Sequence, residues 1–329
     1  MAAAFAPVEV VTVDTPGHAH FGSIEIWDDA FANAVAPDAV MEELATGFVW
    51  AEGPVWDNVG KQLIFSDVNN NVTYAWSEAE GLSQYLNPVT GPEIAALHSS
   101  SGTNGLVIGN DGKMLAAVHG SRAIESIDIQ TKERTILVGN YQGKTFSAPN
   151  DLIQSANGDI YFTDPPYGLK EQDEDPMKET DFNGVYRLSA DGELSVLDES
   201  LTRPNGIALS PDESRLYVAV SDENAPMIYR YTKDTDGNYA NRELWFDGSS
   251  YLAEGLRGLP DGLVVADDGV VYATGPGGVF VLSPEGKALG QFRTGIPAAN
   301  CTLGDDGKTL YITAFDRLLR VRVKSGVSY

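Results

Sequence analysis

The chain has 329 residues, 43% of them hydrophobic, with 34 glycines and 17 prolines. Its 47 acidic and 22 basic residues give a formal charge of −25, a field that repels nucleic-acid phosphates and anionic membranes but admits a divalent cation. One cysteine excludes an intrachain disulfide and any Cys-x-x-Cys zinc site, four histidines are too few for a His-rich metal centre, and no apolar run is long enough to span a bilayer.

The stretch from Met1 to Glu9 has neither a basic segment nor a long apolar one. No secretory leader is expected there, and the expected compartment is the cytoplasm, with the periplasm as the alternative. Residues 5–37 are rich in Asp and Ala, with room for one short helix, and helical spacing of apolar residues is weakly present only over 28–44. Residues 1–42 are expected to form an extension packing on a single domain over 43–329. Within that domain a turn followed by a strand recurs. The turns are Trp56-Asp57-Asn58-Val59-Gly60, Asn110-Asp111-Gly112, Ala156-Asn157-Gly158, Pro211-Asp212-Glu213-Ser214, Asp267-Asp268-Gly269 and Asp305-Asp306-Gly307. Asn, Asp and Gly supply the positive φ angles of tight hairpins. The strands predicted after them are 62–66, 114–118, 160–163, 216–220, 271–274 and 310–313, starting 39 to 56 residues apart. Further strands are predicted at 123–129, 184–188, 227–231, 278–282 and 318–323. One four-stranded propeller blade occupies such an interval, so the chain is predicted to be all-β, a six-bladed β-propeller, rather than a two-sheet sandwich. The charged stretch 168–183 is expected to be a solvated connection, or alternatively a cover for the channel mouth.

The residue that opens each hairpin is Glu52, Asn104, Asn150, Asn205, Asp261 or Asn300. Four of them lie eight residues before the turn glycine and the last lies seven before it; Asn205 is aligned through Pro204-Asn205-Gly206. The first strand of each propeller blade lines the central channel, so these six side chains are expected to form one ring. A turn-forming role explains any single Asn-Gly or Asp-Gly. It explains less well six copies in phase, one of them glutamate. Buried carboxylates close together raise one another's pKa unless a cation lies between them. A metal site at the central channel is therefore expected. Oxygen ligands suit one hard divalent cation, Ca2+ best, with Mg2+, Mn2+ or Zn2+ as alternatives.

Ala51-Glu52-Gly53-Pro54-Val55-Trp56, Pro149-Asn150-Asp151-Leu152, Phe162-Thr163-Asp164-Pro165-Pro166-Tyr167-Gly168-Leu169, Arg203-Pro204-Asn205-Gly206 and Pro260-Asp261-Gly262 resemble the SMP-30/gluconolactonase/LRE-like family. The Asp-Pro-Pro-Tyr-Gly-Leu stretch looks especially like the bacterial gluconolactonases. The resemblance covers residues 43–323. It implies a six-bladed propeller with one divalent cation at the channel mouth, acting on sugar lactones to give aldonic acids. It implies Glu52, Asn205 and Asp261 as metal ligands, Asn150 as a further ligand or as a group positioning substrate and water, and Asp261 as general base. Such a cation would polarise the lactone carbonyl while Asp261 takes a proton from water. No Gly-x-Ser-x-Gly motif is present and none is needed.

Asn104, Asn150, His119, Tyr167 and Lys144 are the candidate substrate contacts. For His119 a hydrogen-bonded place at a strand end is the alternative. Lys144 stands where related sequences carry an arginine ahead of Pro-Asn-Asp, and Asn69-Asn70-Asn71 lacks another. Asp164 is read as a turn former, a wall residue or a group that supports the site residues from behind. His18, His20 and His98 are expected at the surface, Trp50, Trp56 and Trp76 in the core, and Cys301 as a small buried residue. Two rival functions share the same ring: hydrolysis of phosphotriesters, fluorophosphates or other esters, and cation binding without catalysis. The expected partner is a small-molecule lactone; no nucleic acid or membrane is expected, and the oligomeric state is open.

Overall fold

The computed structural model describes residues 11–12 and 19–324. Met1 to Glu9, the start of the extension and His18 lie outside them. Six four-stranded antiparallel meanders follow one another round an axis. Their inner strands are Ala51–Asp57, Thr103–Ile108, Leu152–Gln154, Pro204–Leu209, Leu263–Val265 and Asn300–Gly304, and we number the blades I to VI in that order. Each inner strand touches the inner strands on both sides, so the ring is unbroken. Each predicted hairpin is present; its second strands are Gln62–Asp67, Met114–Val118, Ile160–Asp164, Arg215–Val220, Val271–Gly275 and Thr309–Ala314. The strand predicted at 123–129 ends earlier, as Ala123–Ile127. Asp128 turns the chain there, its Oδ1 accepting the Gln130 and Thr131 backbone N–H groups at 3.0 and 2.8 Å.

The core consists of six apolar clusters, one at each junction between adjacent blades. Alternation along a strand sends neighbouring side chains to opposite junctions. Met114, Ala116 and Val118 pack toward blade I, while Leu115 and Ala117 pack toward blade III. Both faces are buried, so these strands read as continuous apolar runs.

Three N-terminal strands complete the outer edges, the first of them, Val11–Thr12, pairing outside Met41–Thr46. Ser23–Ile26 pairs with Ala288–Arg293 as a fifth strand of blade V. Met41–Thr46 pairs with Arg317–Arg322, so blade VI combines both ends of the chain. The weak helical spacing over 28–44 is thus one short helix, Phe31–Ala34, followed by a strand, because pairing with the last blade decides the conformation. The boundary expected at 42/43 falls inside that strand.

The stretch 168–183 is anchored at several points, while about half of its residues, 170–174 among them, are exposed as expected of a solvated connection. Ser99 donates its backbone N–H to Gly168 O at 2.9 Å, Arg203 pairs with Asp173 at 2.5 Å, and Leu169, Asp175 and Thr180 are buried. None of its residues lines the channel mouth, where a cover would lie. Among the described residues no helix is long and apolar enough to cross a membrane.

Candidate active site

Three of the inner strands break register directly at the ring residue, between Glu52 and Val55, Thr103 and Leu106, and Pro204 and Ile207. Such bulges re-aim a side chain, here toward the axis. Asn150 and Asp261 stand just ahead of their strands, held by Asn150 N to Thr163 O at 2.8 Å and Asp261 N to Thr274 Oγ1 at 3.1 Å. Hydroxyls tie neighbouring blades at this level: Ser66 Oγ donates to Asn104 O at 2.8 Å and Thr163 Oγ1 to Asn205 O at 2.7 Å. The glycines after the ring residues permit close approach. A Cβ on Gly53 would lie 1.8 Å from Asn104 O, on Gly206 2.0 Å from Asp261 O, and on Gly262 1.9 Å from Asn300 Cγ. Only Gly53 of these has positive φ, so turn formation does not account for Gly206 and Gly262.

At the end of the channel where the inner strands begin, a cavity of about 950 Å³ opens. Glu52, Asn104, Asn150, Asn205 and Asp261 contribute to it. Asn300, the sixth ring position, does not. Its Oδ1 accepts the Cys301 backbone N–H at 2.8 Å, and its side chain favours the charged forms of Glu52 and Asp151. One member of the ring is therefore turned from the cavity to hold the carboxylates.

Three carboxyl groups are buried together. Burial pushes Glu52 up to about 7; the Gly53 N–H opposes the rise and the charge of Asp151 adds to it. Burial also raises Asp261 well above the carboxylate range, reinforced by Glu52 and then Asp151. Asp151 is lifted by burial to about 6, against hydrogen bonds from Leu152 N, Ile207 N and Asn300. Asp151 was visible in Pro-Asn-Asp, but strand alternation pointed only to the residue before it.

The amides are oriented from behind. Asn205 donates Nδ2 to Ser221 Oγ at 2.8 Å, and Ser221 Oγ donates to Pro260 O at 2.6 Å. Asn104 Nδ2 faces His119 Nε2 at 3.3 Å, and His119 Nδ1 lies 2.8 Å from Ser100 Oγ. Burial, with His98 nearby, lowers the His119 pKa to about 3, so the ring is neutral; accepting from Asn104 at Nε2, it donates from Nδ1 to Ser100. Asn104 Oδ1, Asn205 Oδ1 and Asp261 Oδ1 are left buried without a partner.

His119 and Ser221 immediately follow the second strands of their blades. In blades I and III the second strand ends in aspartate. Asp67 accepts the Trp50 backbone N–H at 2.9 Å, and Asp164 accepts those of Ser147 and Ala148 at 2.9 and 2.7 Å. Asp164 thus holds the segment leading to Asn150 rather than lining the cavity. Comparing the last residue of each second strand and the one after it would have found Asp67 and Ser221; Ser100 carries no local signal.

Tyr167 lines the cavity, with its hydroxyl 3.4 Å from Ser221 O, and burial raises its pKa. Lys144 does not reach it. It lies on a two-stranded hairpin, half exposed, and pairs with Asp181 at 3.1 Å. His98 is buried, not at the surface, because Gly168 and Lys170 bond to the chain on either side of it. His20 is exposed. Trp50 lines the cavity instead of joining the core, whereas Trp56 stacks on Tyr311 and Trp76 is buried. Cys301 is buried.

Among the described residues no group of three or more His, Cys, Asp or Glu side chains is arranged to hold a metal. The ring mixes two carboxylates with amides, and its unpartnered atoms are all oxygens. That donor set suits a hard divalent cation. Glu52, Asn150, Asn205 and Asp261 are the residues that could hold one.

Comparison with known proteins follows the same outline. The chain is 42% identical over 302 residues to a gluconolactonase of Zymomonas mobilis, covering 90% of this chain and 84% of that one. It is 26% identical to the pentonolactonase XacC of Haloferax volcanii, over 80% of each chain. A solved gluconolactonase structure from Xanthomonas campestris superposes with a TM-score of 0.81 at 30% identity, covering 95% of this chain and all of that one. The model of the SMP-30/Gluconolactonase/LRE-like region matches residues 50–316, and the chain belongs to that family.

Proposed function

We propose that this protein is a lactone hydrolase that opens a sugar lactone of the gluconolactone type to the aldonic acid, and that it does so with one divalent cation. The lactonase part is supported by the gluconolactonases and the pentonolactonase it resembles. The observation that carries the cation is the cavity floor itself: Asn205 Oδ1 and Asp261 Oδ1 are buried without partners beside a Glu52 whose charge is suppressed. Glu52, Asn150, Asn205 and Asp261 would hold the ion. When bound, the cation would keep both carboxylates ionised and withdraw electrons from a lactone carbonyl.

The chain's own residues do the rest. Asp261, kept ionised, takes a proton from a water directed at the carbonyl carbon. The proton is then delivered to the ring oxygen as the acyl–oxygen bond breaks. Asn104 and Asn150 orient the lactone, and neutral His119 fixes the Asn104 amide without itself changing charge. Tyr167 and Trp50 form walls against which the sugar ring is placed.

The test is acid release from glucono-1,5-lactone above the spontaneous rate, before and after EDTA. Loss with EDTA and recovery with one divalent ion is expected. Full activity after complete removal of metal would overturn the cation. Absence of turnover with every divalent ion would remove gluconolactone as substrate.

A further inference from the structure

The cavity wall above the ring is divided by blade. From blade I round to blade IV it is polar, with Ser99, Ser100, His119, Ser221 and Asn224 among its residues. From the chain leading into blade V, through blade VI and back to blade I, it is lined by Leu252, Leu256, Leu259, Pro297, Trp50 and Val68. A sugar lactone such as glucono-1,5-lactone, with hydroxyls on C2, C3 and C4 and a hydroxymethyl on C5, finds most of its polar partners on the first arc. Apart from the Arg257 guanidinium, the second arc offers it only a face for its C–H bonds.

This apolar arc is preformed. The short helix Ser249–Ala253 is followed by Gly255 and Gly258, at φ 84° and 102°. These two turns lay Leu252, Leu256 and Leu259 along one wall. Gly277 N donates to Arg257 O at 2.7 Å and ties the segment to blade V. Trp50 stands edge-on to Phe315, with ring centroids 5.7 Å apart. Arg257 is the one charged side chain on the arc; it is exposed, and among described residues its guanidinium has no hydrogen-bond or ion-pair partner. At about 950 Å³ the open cavity has more room than a six-carbon lactone fills.

We propose that the arc is a second subsite that takes a linear alkyl substituent of the lactone, so that alkyl-substituted δ-lactones are substrates alongside sugar lactones. This rests on the lactonase function proposed above. The chemistry is unchanged. The water hydroxyl bonds to the carbonyl carbon, the bond from that carbon to the ring oxygen breaks, and the water proton ends on the ring oxygen to give a hydroxy acid.

The experiment measures kcat/KM of the cation-loaded protein on δ-lactones from unsubstituted to pentyl-substituted, with glucono-1,5-lactone alongside. Burial of the chain is expected to raise kcat/KM about three- to fourfold per methylene. Leu256→Asn and Leu252→Asn are each expected to lower the ratio of pentyl-substituted to unsubstituted turnover. The ratio is taken within one preparation, so a partly unfolded variant does not mimic the effect. A flat series beside active gluconolactone hydrolysis overturns the subsite and leaves the lactonase standing. A rising series whose slope survives in both variants overturns its assignment to this wall. No turnover of any lactone overturns both.

Discussion

Between the blades, each middle strand sends apolar side chains to both neighbours, as Ile64 does toward blade II and Leu63 and Phe65 toward blade VI. On the channel floor the inner strands of the same sheets bulge, carry glycine, and gather buried Glu52 and Asp151 beside a half-buried Asp261 whose Oδ1 is covered. The junctions gain from burial. The floor is held against its own desolvation by the blades that meet there. That contrast teaches where stability and chemistry reside: a change at a junction should cost folding, and a change on the floor should cost activity while relieving electrostatic strain.

The largest expected effect is on the floor. Asp261→Asn should lower kcat by about 10²- to 10⁴-fold, the range typical of a lost general base. The cation-free variant should nonetheless melt higher than the wild type, because a buried carboxyl has gone; a lower melting temperature would contradict the contrast. At a junction, Phe65→Ala should cost about 3–5 kcal/mol by denaturant unfolding, with turnover per folded molecule retained. Loss of activity without loss of stability there would reverse the assignment.

The pH dependence follows from the direction of the carboxyl shifts. Glu52 titrates near 7 when folded, above its ordinary 4.5. The folded state therefore holds a proton that the unfolded state releases, and the contribution to stability, complete below pH 4.5, is lost as pH rises through about 7. Cation-free protein should unfold more easily at pH 8 than at pH 5, and Glu52→Gln should flatten that slope. A melting temperature that rises over this interval would contradict it. Behind the floor, Ser221→Ala should weaken cation binding by about tenfold, as loss of a group that orients a ligand does. Calorimetric titration checks this; an unchanged affinity would show that Asn205 needs no support. The smallest effect belongs to Lys144→Ala. Its pair with Asp181 is a solvent-exposed contact of at most about 1 kcal/mol, and kcat/KM should stay within about twofold. A large fall in kcat/KM would bring Lys144 back to the substrate.

What was legible in the sequence was local or repeated. Turn residues marked the hairpins, and their constant offset marked Glu52, Asn104, Asn150, Asn205 and Asp261, because a ring in space is a phase in the chain. What was illegible depended on distant partners. Met41–Thr46 becomes a strand only by pairing with Arg317–Arg322. Asn300 has the right phase but is captured by Cys301 N and the neighbouring carboxyls. Asp151 is drawn into the group by the close meeting of blades II, III and IV, where its Oδ1 lies beside Gly105 and its Oδ2 accepts the Ile207 N–H at 3.3 Å. Trp50 and Val68 face the cavity because the axis, not the junction, lies beside them, a fact no period in the chain encodes. The position of Lys144 ahead of Pro-Asn-Asp suggested reach, but its hairpin turns it to Asp181.

The central claim is that the floor binds a cation in place of protons. Calorimetric titration of Ca2+ into the cation-free protein at pH 8 and pH 5, with Glu52→Gln and Asp261→Asn in parallel, tests it most directly. The account predicts one ion per chain, tighter at pH 8 than at pH 5, and weakened severely by either substitution. Binding that is absent, independent of pH, or undiminished in both variants would contradict it.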